Sequence, residues 1–161
     1  MLKSRLLVFF CLVFSSFTGP AAGQMPNGAP DVSSILSAVV KLTATVPADA
    51  RTAKGLGTTR EGSGVVIDSS GLVLTIGYLT LEAERIDIGL PDGRTVPATP
   101  VAYDHDTGLG LVRATQPLGI KPVELGDSGK IDVRERVMAV AHGGQDMTMP
   151  AVVVSRRPFA G

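Results

Sequence analysis

Gly126-Asp127-Ser128-Gly129 sets a serine between two glycines, a loop in which a hydroxyl could stand clear of the chain as a nucleophile. Such a serine reacts only when an imidazole within hydrogen-bond reach takes its proton and a carboxylate holds that imidazole in place. His105 and Asp106 precede it in a suitable order. Neighbouring residues on one backbone turn project differently, however, whereas the orienting carboxylate must arrive from another element, so these three are not expected to form a triad. The plainer expectation for 126–129 is a turn in which Asp127 and Ser128 bond nearby backbone amides. Ser63 with His105 is a second, weaker hydrolytic pairing.

Asp104, His105 and Asp106 offer carboxylate and imidazole together, which suits several divalent ions. With His142 the one other histidine and no second ligand run at a recognisable spacing, the segment reads as a solvated polar turn, and no metal is expected. Gly143-Gly144 after His142 lacks the following helix pattern and Lys-Ser/Thr of a phosphate loop and reads as a hairpin before the last strand. Nothing in the chain asks for a cofactor.

Fifteen basic and 15 acidic side chains balance to zero net charge, without a basic run or interleaved aromatics. Nucleic acid is therefore not an expected partner. With 44% apolar residues, no tryptophan, a 4% aromatic share and 19 glycines, the core must be built from Val, Leu, Ile and Ala between tight turns, a composition that points to β-structure. Residues 1–23 read as a secretory signal peptide: Lys3 and Arg5 precede an apolar run, Leu6 to Phe14, and small residues around Ala22 and Gly23 suit cleavage. That run is shorter than the ~20 residues a membrane span needs, so no membrane attachment is expected after cleavage. Cys11 lies inside the apolar run without a lipobox before it, which leaves the mature chain free of thiol chemistry and suits export to a periplasm or beyond.

Residues 24–38 form a Pro/Gly/Asn-rich leader and a short helix, Ser34 to Ala38, capped by Asp31 or Ser33. From Val39 the apolar pattern alternates or forms short runs between turn residues, and strands are expected near 39–46, 61–68, 72–75, 86–90, 95–103, 110–114, 136–141 and 149–156. Ser69-Ser70-Gly71 and Pro91-Asp92-Gly93-Arg94 supply hairpin turns, and 79–84 room for one helical turn. The class is all-β, a small barrel or sandwich.

Gly62-Ser63-Gly64-Val65-Val66-Ile67-Asp68, the turn at Gly71 and Leu72-Val73-Leu74-Thr75 resemble the opening of the trypsin-like serine-protease domain of the HtrA/Deg (DegP-like) type. The resemblance covers roughly Val39 to Arg156 and implies the N-terminal six-stranded β-barrel of the trypsin-like fold over 39–146, with 147–161 a crossover strand toward an absent second barrel. It also implies where the triad belongs. The family histidine falls on Tyr78, the family aspartate on Gly108, just before Leu109-Gly110-Leu111-Val112, and the family serine motif has no counterpart, since Leu125-Gly126-Asp127-Ser128 matches an ordinary loop and Lys130-Ile131 replaces the glycine and proline of a nucleophile loop. A phenol titrates near ~10 and cannot relay a proton at neutral pH as imidazole does. Tyr78, flanked by Leu74, Leu79 and Leu81, is expected to fill the hollow the triad vacated.

The resemblance thus implies a degenerate, non-catalytic domain, a pseudoprotease that binds peptide or protein segments, with a fragment of a longer exported serine endopeptidase as the alternative. The apolar last strand, Ala151 to Ser155, is expected to lack a partner and to drive self-association.

Overall fold

The computed structural model describes residues 31–157. The signal-peptide reading of 1–23, most of the leader and the last residues of the 147–161 segment lie outside them. The fold begins as the sequence directs: the Asp31 carboxylate accepts from the Ser33 amide at 3.1 Å and caps a single-turn helix, α1 (Val32–Ser37).

Six antiparallel strands follow, β1 (Val39–Thr45), β2 (Thr59–Val66), β3 (Leu72–Ile76), β4 (Arg85–Gly89), β5 (Thr95–Tyr103) and β6 (Leu109–Ala114). They close into a barrel in the order β1-β2-β3-β6-β5-β4, with β4 returning to pair with β1 so that no edge remains. Alternation decides which side chains enter it: Val40, Leu42 and Ala44 from β1, Val73 from β3, Ile86 and Ile88 from β4, Val96 and Ala98 from β5 and Val112 from β6 are all buried. A barrel this small, filled mainly by aliphatic side chains, has no room for more bulk at the middle of β2. A Cβ on Gly64 would collide with Leu42 Cδ1 and come within 2.6 Å of Val73 Cγ1, and one on Gly62 would meet Leu79 Cδ1 at 2.6 Å. The Gly-Ser-Gly run is thus two glycines admitting core side chains, with Ser63 turned to the outer face.

A second short helix, α2 (Ala53–Leu56), lies between β1 and β2 and has no counterpart in the sequence reading. After β6 the chain runs without regular strands to β7 (Arg136–Val140), which pairs with β8 (Thr148–Val152) as a separate two-stranded sheet. Two expectations change here. The barrel's strands end at Ala114 and not near 146, because pairing of β4 with β1 closes the ring and leaves β7 nothing to join. The last strand is not without a partner, since β8 pairs with β7 in register Arg136↔Val152 to Val140↔Thr148. What the hairpin lacks is cover: Val137, Met138, Met149 and Val152, drawn from both of its faces, are all exposed.

Candidate functional site

The segment after β3 is anchored by side-chain and backbone hydrogen bonds from several elements. Gly77–Leu79 forms one 3-10 turn, which meets the interval 79–84, where a helical turn was expected, only at Leu79. It is held from below by Arg60, a side chain only 3% exposed. The Arg60 guanidinium donates to the carbonyls of Tyr78 at 2.7 Å and Leu81 at 2.9 Å, to Thr52 Oγ1 at 2.7 Å and, through Nε, to the Gly57 carbonyl at 3.3 Å. Thr52 in turn donates its amide, at 2.8 Å, and its hydroxyl, at 2.6 Å, to the Glu82 carboxylate, which also accepts from the Arg51 amide. The Thr52 hydroxyl, followed by its amide, holds the Glu82 carboxyl below the usual carboxylate range. A single planar cation with several donors satisfies the partly buried carbonyls of a loop that has no strand to pair with. Sequence reasoning missed Arg60; its one signal is an arginine at an inward-facing position of a strand whose other inward residues are Gly62, Gly64 and Val66.

The same loop meets the turn before β6 through the backbone. The Gly77 amide donates to the Gly108 carbonyl at 2.7 Å, so the loop carrying Tyr78 and the turn carrying Gly108, the two positions on which the resemblance places the family histidine and aspartate, are joined by a direct hydrogen bond. Gly108 has φ +72°, and its amide closes the turn by donating to the Asp104 carbonyl at 2.9 Å. A Cβ there would meet nothing within 4 Å, so space is not what keeps aspartate out. Tyr78 departs from expectation. Its side chain is 39% exposed, and the residue that fills the interior beside it is Leu79 at 1%. The aromatic ring packed at this junction is Tyr103, which occupies the place a Cβ of Gly77 would take.

The other predicted residues are scattered. Asp104 spends its carboxylate on its own turn, accepting from the Asp106 amide at 3.1 Å and the Thr107 hydroxyl at 2.6 Å, and these bonds, the hydroxyl first, lower its pKa. His105 packs edge-on against the Tyr103 ring, centroids 4.4 Å apart. Among the described residues no group of three metal-ligating side chains is gathered. Ser128 is exposed on a 3-10 turn whose Asp127 carboxylate accepts from the Gly129 amide at 2.9 Å and whose Ser128 and Gly129 carbonyls accept from Arg156. The turn reading holds for Asp127, and neither His105 nor Asp106 reaches Ser128 among the described contacts. Ser63 does have an imidazole partner, but it is His142 and not His105: Ser63 Oγ lies 3.0 Å from His142 Nδ1 and accepts from the His142 amide, also at 3.0 Å.

The trypsin-like peptidase domain model matches residues 62–159. The probable periplasmic serine protease do/HhoA-like of Haemophilus influenzae is 32% identical over 96 residues, 58% of this chain and 21% of that protein. The periplasmic pH-dependent serine endoprotease DegQ of Escherichia coli gives the same identity and shares, and the serine protease PepD of Mycobacterium tuberculosis is 29% identical over 105 residues, 59% and 23%. The chain therefore spans about a fifth of the length of the curated relatives it matches. Among solved structures, the HtrA-type protease AlgW with tripeptide superposes with a TM-score of 0.63 at 24% identity over 77% of this chain and 38% of that one, a likeness of fold. With a closed barrel and a matching model over most of the described residues, the chain belongs to the trypsin-like peptidase domain family, in its HtrA/Deg branch.

Proposed function

We propose that this domain does not hydrolyse peptide bonds at the family site and serves instead as a pseudoprotease that holds extended peptide or protein segments. The observation that carries the reading is the pair of joined loops: they bring positions 78 and 108 together, and the side chains there are a phenol and a hydrogen atom. Neither group can take a proton from an alcohol at neutral pH or hold an imidazole that does. The β7–β8 hairpin supports the binding half of the proposal. Its strands pair only with each other among the described residues, so its outer edges present backbone donors and acceptors to an added strand, beside the exposed Met138 and Met149. Export follows from the signal-like first 23 residues and from relatives named periplasmic.

The test is casein hydrolysis by the purified chain and by Tyr78→His. No turnover above a buffer control is expected from either, because triad members act as a unit. Turnover by the parent chain that survives repurification would overturn the proposal.

A second reading is favoured by the chain spanning about a fifth of its relatives' length: the sequence is a piece of a longer exported serine endopeptidase. Mass determination of the protein as isolated from its source distinguishes the two, since this reading requires a species heavier than 16.7 kDa.

A further inference from the structure

Ser63 and His142 come together from opposite parts of the chain, 79 residues apart, on the outer face of the barrel. β2 holds Ser63 opposite Lys41 of β1, and Lys41 Nζ binds Glu61 Oε1 at 2.7 Å one pleat along the same face. Glu61 is close enough to His142 for the ring to help lower the carboxyl's pKa, after the larger effect of Lys41. His142 also lines a cavity of about 620 Å³ beneath α1, apolar at Leu36, Val39, Leu90 and Pro91 and charged at Lys41 and Arg94; Ser63 is not part of its wall and meets it through the His142 ring. Gly144, two residues on, has open space where a Cβ would be, so the chain beside the ring leaves room for a ligand.

Of the two hydrogen bonds at Ser63 Oγ, the one from the His142 amide has a set direction, and the one to the ring takes its direction from the tautomer. The His142 amide occupies one lone pair. In the neutral ring with its proton on Nε2, the hydroxyl hydrogen goes to Nδ1, which leaves the second lone pair of Oγ unshared. A serine with its proton already committed to an imidazole is an activated nucleophile.

We infer that Ser63 and His142 form a nucleophile–base pair, separate from the family site, that cleaves small carboxylic esters with an apolar acyl group lodged in the cavity. Ser63 Oγ bonds to the acyl carbon while its proton passes to His142 Nδ1. The carbon–oxygen bond to the leaving group then breaks, and the departing alcohol takes that proton. Water, deprotonated by the same nitrogen, attacks the acyl-serine, releasing the carboxylic acid and returning the proton to Oγ. Esters suit the pair better than peptides, because an alkoxide or phenoxide departs more readily than an amine. The inference does not rest on the state of positions 78 and 108.

The experiment is labelling of the purified chain with a fluorophosphonate, which forms an O–P bond at serine with loss of fluoride, followed by peptide mapping. Label on Ser63 is expected, absent from Ser63→Ala, unchanged in Ser128→Ala and slower by about a hundredfold in His142→Gln, the scale of general-base assistance. Hydrolysis of p-nitrophenyl butyrate should follow the same variants. Label on another serine, or no label at all, in the parent chain would overturn the inference without need of a variant. Casein hydrolysis is a separate readout, so the two proposals fail separately.

Discussion

Replacing Arg60 with methionine keeps an unbranched stem of similar reach inside the barrel's end and removes every donor from the loop above it. The carbonyls of Tyr78 and Leu81 and the Thr52 hydroxyl then lose their nearest partner, at 2.7, 2.9 and 2.7 Å. A buried acceptor left without a donor costs about 1–3 kcal/mol, and bonds to a charged donor lie at the upper end. The Tyr78 carbonyl sits on an exposed residue and recovers water, whereas Arg60 itself is 3% exposed, so relief from burying the guanidinium offsets part of the loss. Two acceptors left largely unsatisfied give a net destabilisation of about 3 kcal/mol, or ~10 °C in Tm for a domain of this size. Arg60→Lys, a point charge without the planar fork, should recover roughly half of that. Urea unfolding followed by circular dichroism reads the global cost. Amide exchange reads its location, since Thr80 and Ala83, whose amides donate within the loop, should exchange faster while β1 and β4 amides keep their relative order of protection. A Met variant within about 0.5 kcal/mol of the parent would refute the claim that Arg60 holds this loop.

Four further outcomes are expected. Gly64→Ala, which forces a methyl against Leu42 and Val73, should cost about 2–3 kcal/mol by urea unfolding, whereas Gly108→Ala, with open space but φ +72°, should cost about 1 kcal/mol. Tyr78→His should leave stability within about 0.5 kcal/mol by the same assay, because the side chain is already exposed. Glu82 has a folded pKa below its ordinary value, so its contribution is present above that ordinary value and is lost as pH falls through the folded one; the urea midpoints of parent and Glu82→Gln should differ at neutral pH and converge in acid. The exposed hairpin should promote self-association, and Met149→Lys should shift light-scattering masses toward monomer; parent masses that are monomeric across micromolar concentrations would remove the basis for this expectation.

The sequence was most informative where a residue type has one physical use. Aspartate before an apolar turn marked the cap of α1, and alternating aliphatics placed all eight strands within a few residues. Closure was not legible, because regular spacing shows that strands exist and says nothing of which pair; β7 looks like its predecessors in sequence yet lies in another sheet. Ser63 was picked out with the wrong histidine, since His105 is nearer in the chain and the contact with His142 depends on how the hairpin folds back. Tyr78 was wrongly given an interior role, because its leucine neighbours do not reveal that Leu79 is the one that points inward. Arg60 was invisible for a related reason: its partners are backbone carbonyls, which every residue carries.

The bond from the Gly77 amide to the Gly108 carbonyl belongs to the main chain, so exchanging the side chain at 78 leaves its donor and acceptor in place. Descent can therefore strip the side chains from these two loops while their spacing persists, and selection for folding will not register the loss. The lineage need not pay again for the geometry if chemistry returns. A single base change turns a tyrosine codon into a histidine codon, and the loop that would receive the imidazole is already held by Arg60 from one side and by the 108 turn from the other. On the proposed reading, the barrel without a triad is separated from a partly rebuilt one by point mutations and by no rearrangement of the fold.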